Sequence, residues 1–209
     1  MVNEIRIYIE GGAKGNNKHA EIEVRRGFNS FFRDLIAVAQ DKRIRWRNIP
    51  CGSRDATYKD FRRSLRANPD SFNVLLVDSE APVDSGTTPL QHLTHRDKWD
   101  LQYVDADQCH LMVQVMEAWL IADIEALKDF YTQAFNSNSI PANRNVEEIE
   151  KARVYSSLVA ATRNTKPGEY HKIRHGPKIL ALLNVTKVRK AAAHCERLFS
   201  TLEEKLNTS

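Results

Sequence analysis

Four acidic residues in this sequence stand where short apolar runs end. Glu10 follows Ile5, Ile7 and Ile9; Asp78 and Glu80 follow the run 72–77; Glu117 follows Cys109, Leu111, Val113 and Val115. Carboxylate oxygens without thiolate or imidazole partners suit Mg2+ or Mn2+. Such an ion neutralises charge developing on a phosphodiester, activates water and stabilises the leaving oxygen, with a lysine or arginine supporting the transition state. Taken singly, each acid is an ordinary strand-end or capping residue, because acidic side chains belong at surfaces. Their recurrence at several strand ends is what points to a metal site.

The elements that would position these acids follow from periodicity. The alternation of Ile5, Ile7 and Ile9 reads as a first strand closed by Gly11-Gly12. Residues 13–27 are polar and Gly-punctuated. Phe28, Phe31, Phe32, Leu35, Ile36 and Ala39 then mark one helical face, with Asn29 as its N-cap. Residues 43–49 read as a second strand ended by Pro50, and Ser53 caps a helix over 54–67 whose Arg54, Lys59, Arg62, Arg63 and Arg66 are basic. The run 72–77 reads as a buried parallel strand. Residues 81–107 read as a long loop with one helical turn near 89–94, and 109–115 as a fourth strand. Asp123 is placed to cap a helix over 124–134. The remainder is helical, interrupted at Lys166-Pro167-Gly168 and at His175-Gly176-Pro177, with a last helix over 187–206.

Strands alternating with helices, followed by helices alone, predict an α/β, Rossmann-like, mainly parallel sheet flanked by helices over residues 1–135. A helical C-terminal extension over 136–209 packs on it. In such a sheet ligands bind beyond the carboxyl ends of the strands, near the switch in strand order, where Glu10, Asp78, Glu80 and Glu117 fall.

With 209 residues, 42% apolar and 28% charged, the chain is not of the disordered class. No run approaches the ~18 apolar residues of a membrane span, and the first residues enter the alternating pattern without a signal-peptide core, so a cytoplasmic protein without a membrane partner is expected. Cys51, Cys109 and Cys195 lie far apart, an odd number without a Cys-x-x-Cys pair, and read as reduced thiols. The net charge of +4 divides into +1 over residues 1–40, +5 over 41–70, −10 over 71–150 and +8 over 151–209. Basic segments around an acidic one suit cationic arms on a phosphate backbone and a metal-binding centre, although solvated surfaces also segregate charge. No Walker-type phosphate loop is present.

Ile7-Tyr8-Ile9-Glu10-Gly11-Gly12 and Leu75-Leu76-Val77-Asp78-Ser79-Glu80 resemble the two motifs of the Toprim fold, shared by topoisomerases, primases and overcoming-lysogenization-defect nucleases. The chain is similar over nearly its whole length to a bacterial family of Toprim-like proteins of unassigned function. The stretch 110–123, Tyr170-His171-Lys172 and Pro177-Lys178 belong to that likeness. The resemblance implies a Toprim-like core and an Mg2+-dependent (or Mn2+-dependent) nuclease. Glu10 would be metal ligand or general base, Asp78 and Glu80 ligands, and Glu117 a further ligand. It also implies an AAA- or ABC-type ATPase partner and a phage-defence role. Toprim proteins usually carry Asp-x-Asp, and the second acid here is the longer Glu80.

Nucleases of the related group use a C-terminal lysine, for which Lys178 is the first choice. Lys172, Arg174 and His175 beside it, and Arg54 after Cys51-Gly52, are candidates for binding phosphate, or are residues of solvated helix starts. His171 with His175, and His92 with His95, have helical spacing but no accompanying ligand, which disfavours zinc. Trp119 and Phe130 read as core. The expected substrate is nucleic acid, DNA first, with a homodimer as one possible state. The alternative is a catalytically degenerate Toprim-like binding or regulatory subunit of an ATPase complex. A third option, an Mg2+-dependent phosphatase or nucleotidyl transferase, shares the chemistry but requires a small-nucleotide pocket.

Overall fold

The computed structural model describes residues 2–12 and 18–208. Four strands, β1 (Glu4–Ile9), β2 (Arg45–Pro50), β3 (Phe72–Asp78) and β4 (Cys109–Met112), form one parallel sheet in the order β2-β1-β3-β4. Before β2 come α1 (Lys18–Phe31) and α2 (Arg33–Asp41); α3 (Arg54–Ala67) joins β2 to β3, and α4 (Pro89–Asp97) precedes β4. After β4 the chain is helical: α5 (Glu117–Ile121), α6 (Ile124–Tyr131), α7 (Lys151–Thr162), α8 (Gly176–Leu180), α9 (Val185–Ala191) and α10 (Ala193–Asn207). The expected α/β class is what the structure has. No helix among the described residues is long and apolar enough to cross a membrane.

Period-2 alternation sends side chains to two cores. Ile5, Ile7, Ile9, Val74 and Leu76 pack on the face covered by Phe28, Phe31, Phe32 and Trp119, with Leu158, Leu198 and Leu202 from the C-terminal helices in the same cluster. Tyr8, Leu75, Val77 and Leu111 pack on the other face against Phe61, Leu93 and Trp99. Residues 136–207 therefore share one hydrophobic core with the sheet. Trp119 lies stacked on Phe31 and Phe130 packs at the edge of that core, as expected of both.

Several boundaries differ from the sequence reading, each for a physical reason. The first helix begins at Lys18, because the buried stripe ending in Phe28 and Phe31 extends back through Val24 and the small Ala20 and Gly27, set among charged residues that mask it. Asn29 is consequently inside α1, where its Oδ1 accepts from Asn48 Nδ2 at 2.8 Å. The part of the polar segment over 13–17 lies outside the described residues. The helix near 89 is longer than one turn because Thr88 and Gln91 form a reciprocal capping box with Pro89 at the start. Gly176-Pro177 opens α8 instead of interrupting a helix, as a proline at a first turn can. The last helix is two, divided at Ala192, whose backbone is extended. By contrast Ser53 caps α3 as expected, accepting from Ala56 N–H.

Candidate metal centre

With β1 flanked by β2 and β3, the chain reverses direction across the sheet between β1 and β3, and a crevice opens beyond their carboxyl ends. Glu10 lies just past β1 and Asp78 ends β3, so sheet register alone brings them together. Gly11 and Gly52 bond reciprocally through their backbones at 3.1 and 3.0 Å, closing the rim between β1 and β2. Gly11 and Gly12 take φ of +145° and +114°, which side-chain-bearing residues adopt only with strain.

Carboxylate oxygens of Glu10, Asp78 and Glu80 lie within 4.8 Å of one another, an arrangement that can hold a metal ion. They line a cavity of about 710 Å3. Glu10 Oε2 accepts from Arg54 Nη1 at 2.9 Å and Asp78 N–H at 3.2 Å. Asp78 Oδ1 accepts from Met116 N–H at 2.8 Å, and its Oδ2 lies 3.5 Å from Lys172 Nζ. Glu80, at φ +63°, donates its N–H to Gln114 O, while its Oε2 pairs with Lys151 Nζ. Glu10 Oε1 and Glu80 Oε1 accept no hydrogen bond among the described residues.

The electrostatics show an excess of acid. Burial, reinforced by Glu117 and Glu10, pushes the Asp78 carboxyl up to about 7 despite Lys172 and the Met116 N–H. Burial also raises Glu10, with Glu80 adding to it and Arg54 opposing. Burial works against the Lys172 ammonium, yet Asp78 and Glu117 hold it more firmly charged than usual.

The other expected site residues divide. Arg54 reaches the centre, but its guanidinium is turned inward: it grips Asp97 through two bonds of 2.8 and 2.7 Å, donates to Asp78 O and lies 5.0 Å over Trp99. It orients Glu10 and is not free for phosphate. Glu117 stays outside the carboxylate cluster, because Tyr170 Oη binds its Oε1 at 3.1 Å and Lys172 Nζ stands 3.4 Å from its Oε2. The lysine at the site is Lys172. Lys178 is exposed on α8 and does not line the cavity, nor does Arg174. His175 is buried, its Nδ1 2.9 Å from Tyr131 Oη, with burial lowering its affinity for protons. The His171/His175 pair is thus split, since only His171 faces the cavity, while His92 is buried against Ser79 O. The three cysteines are free thiols.

Lys151, Tyr155 and Arg96 were not singled out as site residues by the sequence, and His171 only as half of a disfavoured zinc pair; all four adjoin the carboxylates or their cavity. Of these, Arg96 and His171 carry a readable signal as basic neighbours of Asp97 and Lys172. The family model described as Domain of unknown function (DUF4276) matches residues 10–203. The chain belongs to the DUF4276 family. That match spans Glu10, Asp78, Glu80, Glu117 and Lys172, so the whole centre lies within the DUF4276 domain. Neither curated proteins nor solved structures give a match to this DUF4276 chain.

Proposed function

We propose that this DUF4276 protein is an Mg2+- or Mn2+-dependent nuclease that hydrolyses phosphodiester bonds, with Glu10, Asp78 and Glu80 as ligands. The observation that carries the reading is the cluster of three carboxylates from two adjacent strands within 4.8 Å at the switch in strand order. A bound divalent ion would neutralise the scissile phosphate and lower the pKa of a bound water. Arg54 keeps Glu10 in place, and Glu10, Asp78 and Glu80 would hold the ion, with the Oε1 atoms of Glu10 and Glu80 free of hydrogen bonds among the described residues. Lys172, half-exposed between Asp78 and Glu117, is the cation that reaches a phosphate oxygen, the role first looked for in Lys178.

A basic track supports a polyanionic substrate. Lys59, Arg62, Arg63 and Arg66 recur at helical spacing along one face of α3 and line a shallow surface cavity with Tyr58. Since α3 begins at Arg54 and its 14 residues span about 21 Å, this face leads away from the carboxylates over roughly the distance of several nucleotides. The ATPase partner and the phage-defence role belong to the same proposal and rest on the Toprim resemblance; the homodimer is one use of the helical C-terminal part.

One observation favours the alternative, a catalytically silent binding or regulatory subunit: each of the three carboxylates already has a cation, from Arg54, Lys172 or Lys151. Calorimetric titration with Mn2+ and Mg2+, beside cleavage of plasmid, single-stranded DNA and RNA, separates the two. Metal binding with cleavage that Glu10→Ala and Asp78→Ala abolish is the expected result. Cleavage equal in wild type and variants refutes the assignment, and absence of metal binding at millimolar concentration selects the subunit reading.

A further inference from the structure

Next to the carboxylate cavity lies a second one of about 390 Å3, lined by Val115, Glu117, Lys151, Ala152, Tyr155 and Lys172. Tyr155 and Lys172 line both cavities, and Lys151 reaches from this one to Glu80 in the other. Two observations mark it as a ligand site. Glu117 is 3% exposed, and its buried Oε2 accepts no hydrogen bond among the described residues and has the Lys172 ammonium 3.4 Å away, so its need for a donor is only partly met. Tyr155, on the facing helix α7, is 48% exposed even though it is a large aromatic ring, and it is braced edge-on by Tyr170 at 5.9 Å. A half-exposed ring beside an apolar wall of Val115 and Ala152 is a surface on which a planar ring can stack.

We infer that this second cavity is a nucleobase subsite, and that it takes guanine in the nucleotide next to the scissile phosphate. The inference deepens the nuclease reading and rests on it for the word scissile. The chemistry follows from the donor set. The polar group placed for a base edge is the carboxylate of Glu117, which accepts hydrogen bonds and repels acceptors. Guanine alone among the bases presents two adjacent N–H donors, N1–H and the 2-amino group. Adenine and cytosine place a ring acceptor beside their amine, and uracil flanks its single N–H with two carbonyls. Tyr155 offers the stacking face. Lys151 and Lys172, both half-exposed at the junction of the two cavities, stand where the attached phosphate would enter the carboxylate cavity.

Calorimetric titration of the full chain in EDTA, with GMP, IMP, AMP and UMP as probes, tests the subsite without metal or cleavage. GMP is expected to bind at least about tenfold more tightly than AMP or UMP, and IMP, which lacks the 2-amino group, in between. Tyr155→Ala is expected to weaken all four by about tenfold or more. Glu117→Gln is expected to abolish the preference for GMP; if that variant fails to fold, the GMP-to-IMP ratio in wild type is the deciding number. Equal affinity for the four nucleotides, no binding of any at millimolar concentration, or binding that Tyr155→Ala leaves unchanged would overturn the inference. A protein that binds GMP selectively but cleaves nothing keeps the subsite and loses the nuclease. One that cleaves but fails the GMP test loses only the subsite.

Discussion

The two ends of strand β1 each carry a glutamate, Glu4 buried and Glu10 partly buried, and they are solved in opposite ways. At the amino end, Glu4 Oε2 accepts from Arg6 Nε at 2.8 Å and Ser71 Oγ at 3.1 Å, and its Oε1 accepts from Arg47 Nε at 2.8 Å. Burial alone would raise its pKa, yet the hydrogen bonds from Arg6 and Ser71, joined by Arg47, bring it below the ordinary carboxylate value. At the carboxyl end, Glu10 shares one guanidinium with Asp97, and Asp78 shares one ammonium with Glu117. There burial wins, and both carboxyls are raised. A carboxylate kept for structure is given its partners. The carboxylates at the switch point share their cations with Asp97 and Glu117, an arrangement that can hold a divalent ion.

The largest effect that can break this contrast is on activity. Asp78→Ala is expected to reduce metal-dependent cleavage by about 100-fold or more, because it removes a proposed ligand and the group that Lys172 and Met116 position. Glu4→Gln, at the other end of the same strand, is expected to change it by less than about threefold. Plasmid-nicking rates for the two variants at saturating Mn2+ measure both. A comparable loss in Glu4→Gln would mean that the two ends are not functionally distinct.

The next effect is on metal affinity. Because Asp78 holds its proton up to about pH 7, a metal must displace that proton in more acidic solution. Affinity for Mn2+ is expected to rise roughly tenfold per pH unit between about pH 5 and 7 and then to level off. A flat profile across this range, read by calorimetry in buffers of different ionisation enthalpy, would place the bound metal elsewhere.

How far the sequence discloses this contrast depends on the distance over which each residue is positioned. Strands β1 and β3 and the convergence of Glu10, Asp78 and Glu80 are readable, because apolar alternation and strand ends are local and a parallel sheet does the rest. Ser53 and α3 are readable for the same reason. The choice of Lys172 over Lys178 is not. It depends on how α8 lies on α1, where a Cβ on Gly27 would meet Pro177 O at 2.6 Å, and no local pattern announces that approach. The inward turn of Arg54 likewise depends on Asp97, and the removal of Glu117 from the cluster on Tyr170, both distant in sequence. Charge counting finds the acidic middle of the chain but cannot distinguish Glu4, buried among arginines, from Glu10, because that distinction is made by the fold.

The smallest effect is on stability, and here the two ends should differ in sign. The raised Asp78 favours the fold while protonated: its contribution is fully present below about pH 4, the unfolded value, and is lost as pH rises through about 7. Glu4, lowered in the fold, contributes above its unfolded value and loses that contribution as pH falls through its folded one. At pH 8 without metal, Asp78→Asn removes a charge that the fold penalises while keeping an oxygen for the Met116 N–H, and is expected to stabilise by about 1 kcal/mol. Glu4→Gln leaves Arg6 and Arg47 short of their anion and is expected to destabilise by about 1–2 kcal/mol at the same pH. Urea unfolding of the two variants in EDTA reads both signs. Raising Mn2+ should reverse the order for Asp78, because binding to the folded wild type adds a term that the variant has lost. If Asp78→Asn is instead the less stable protein in EDTA, then the carboxylates at the switch point are a satisfied ion-pair network like that of Glu4, and the case for a metal centre fails with it.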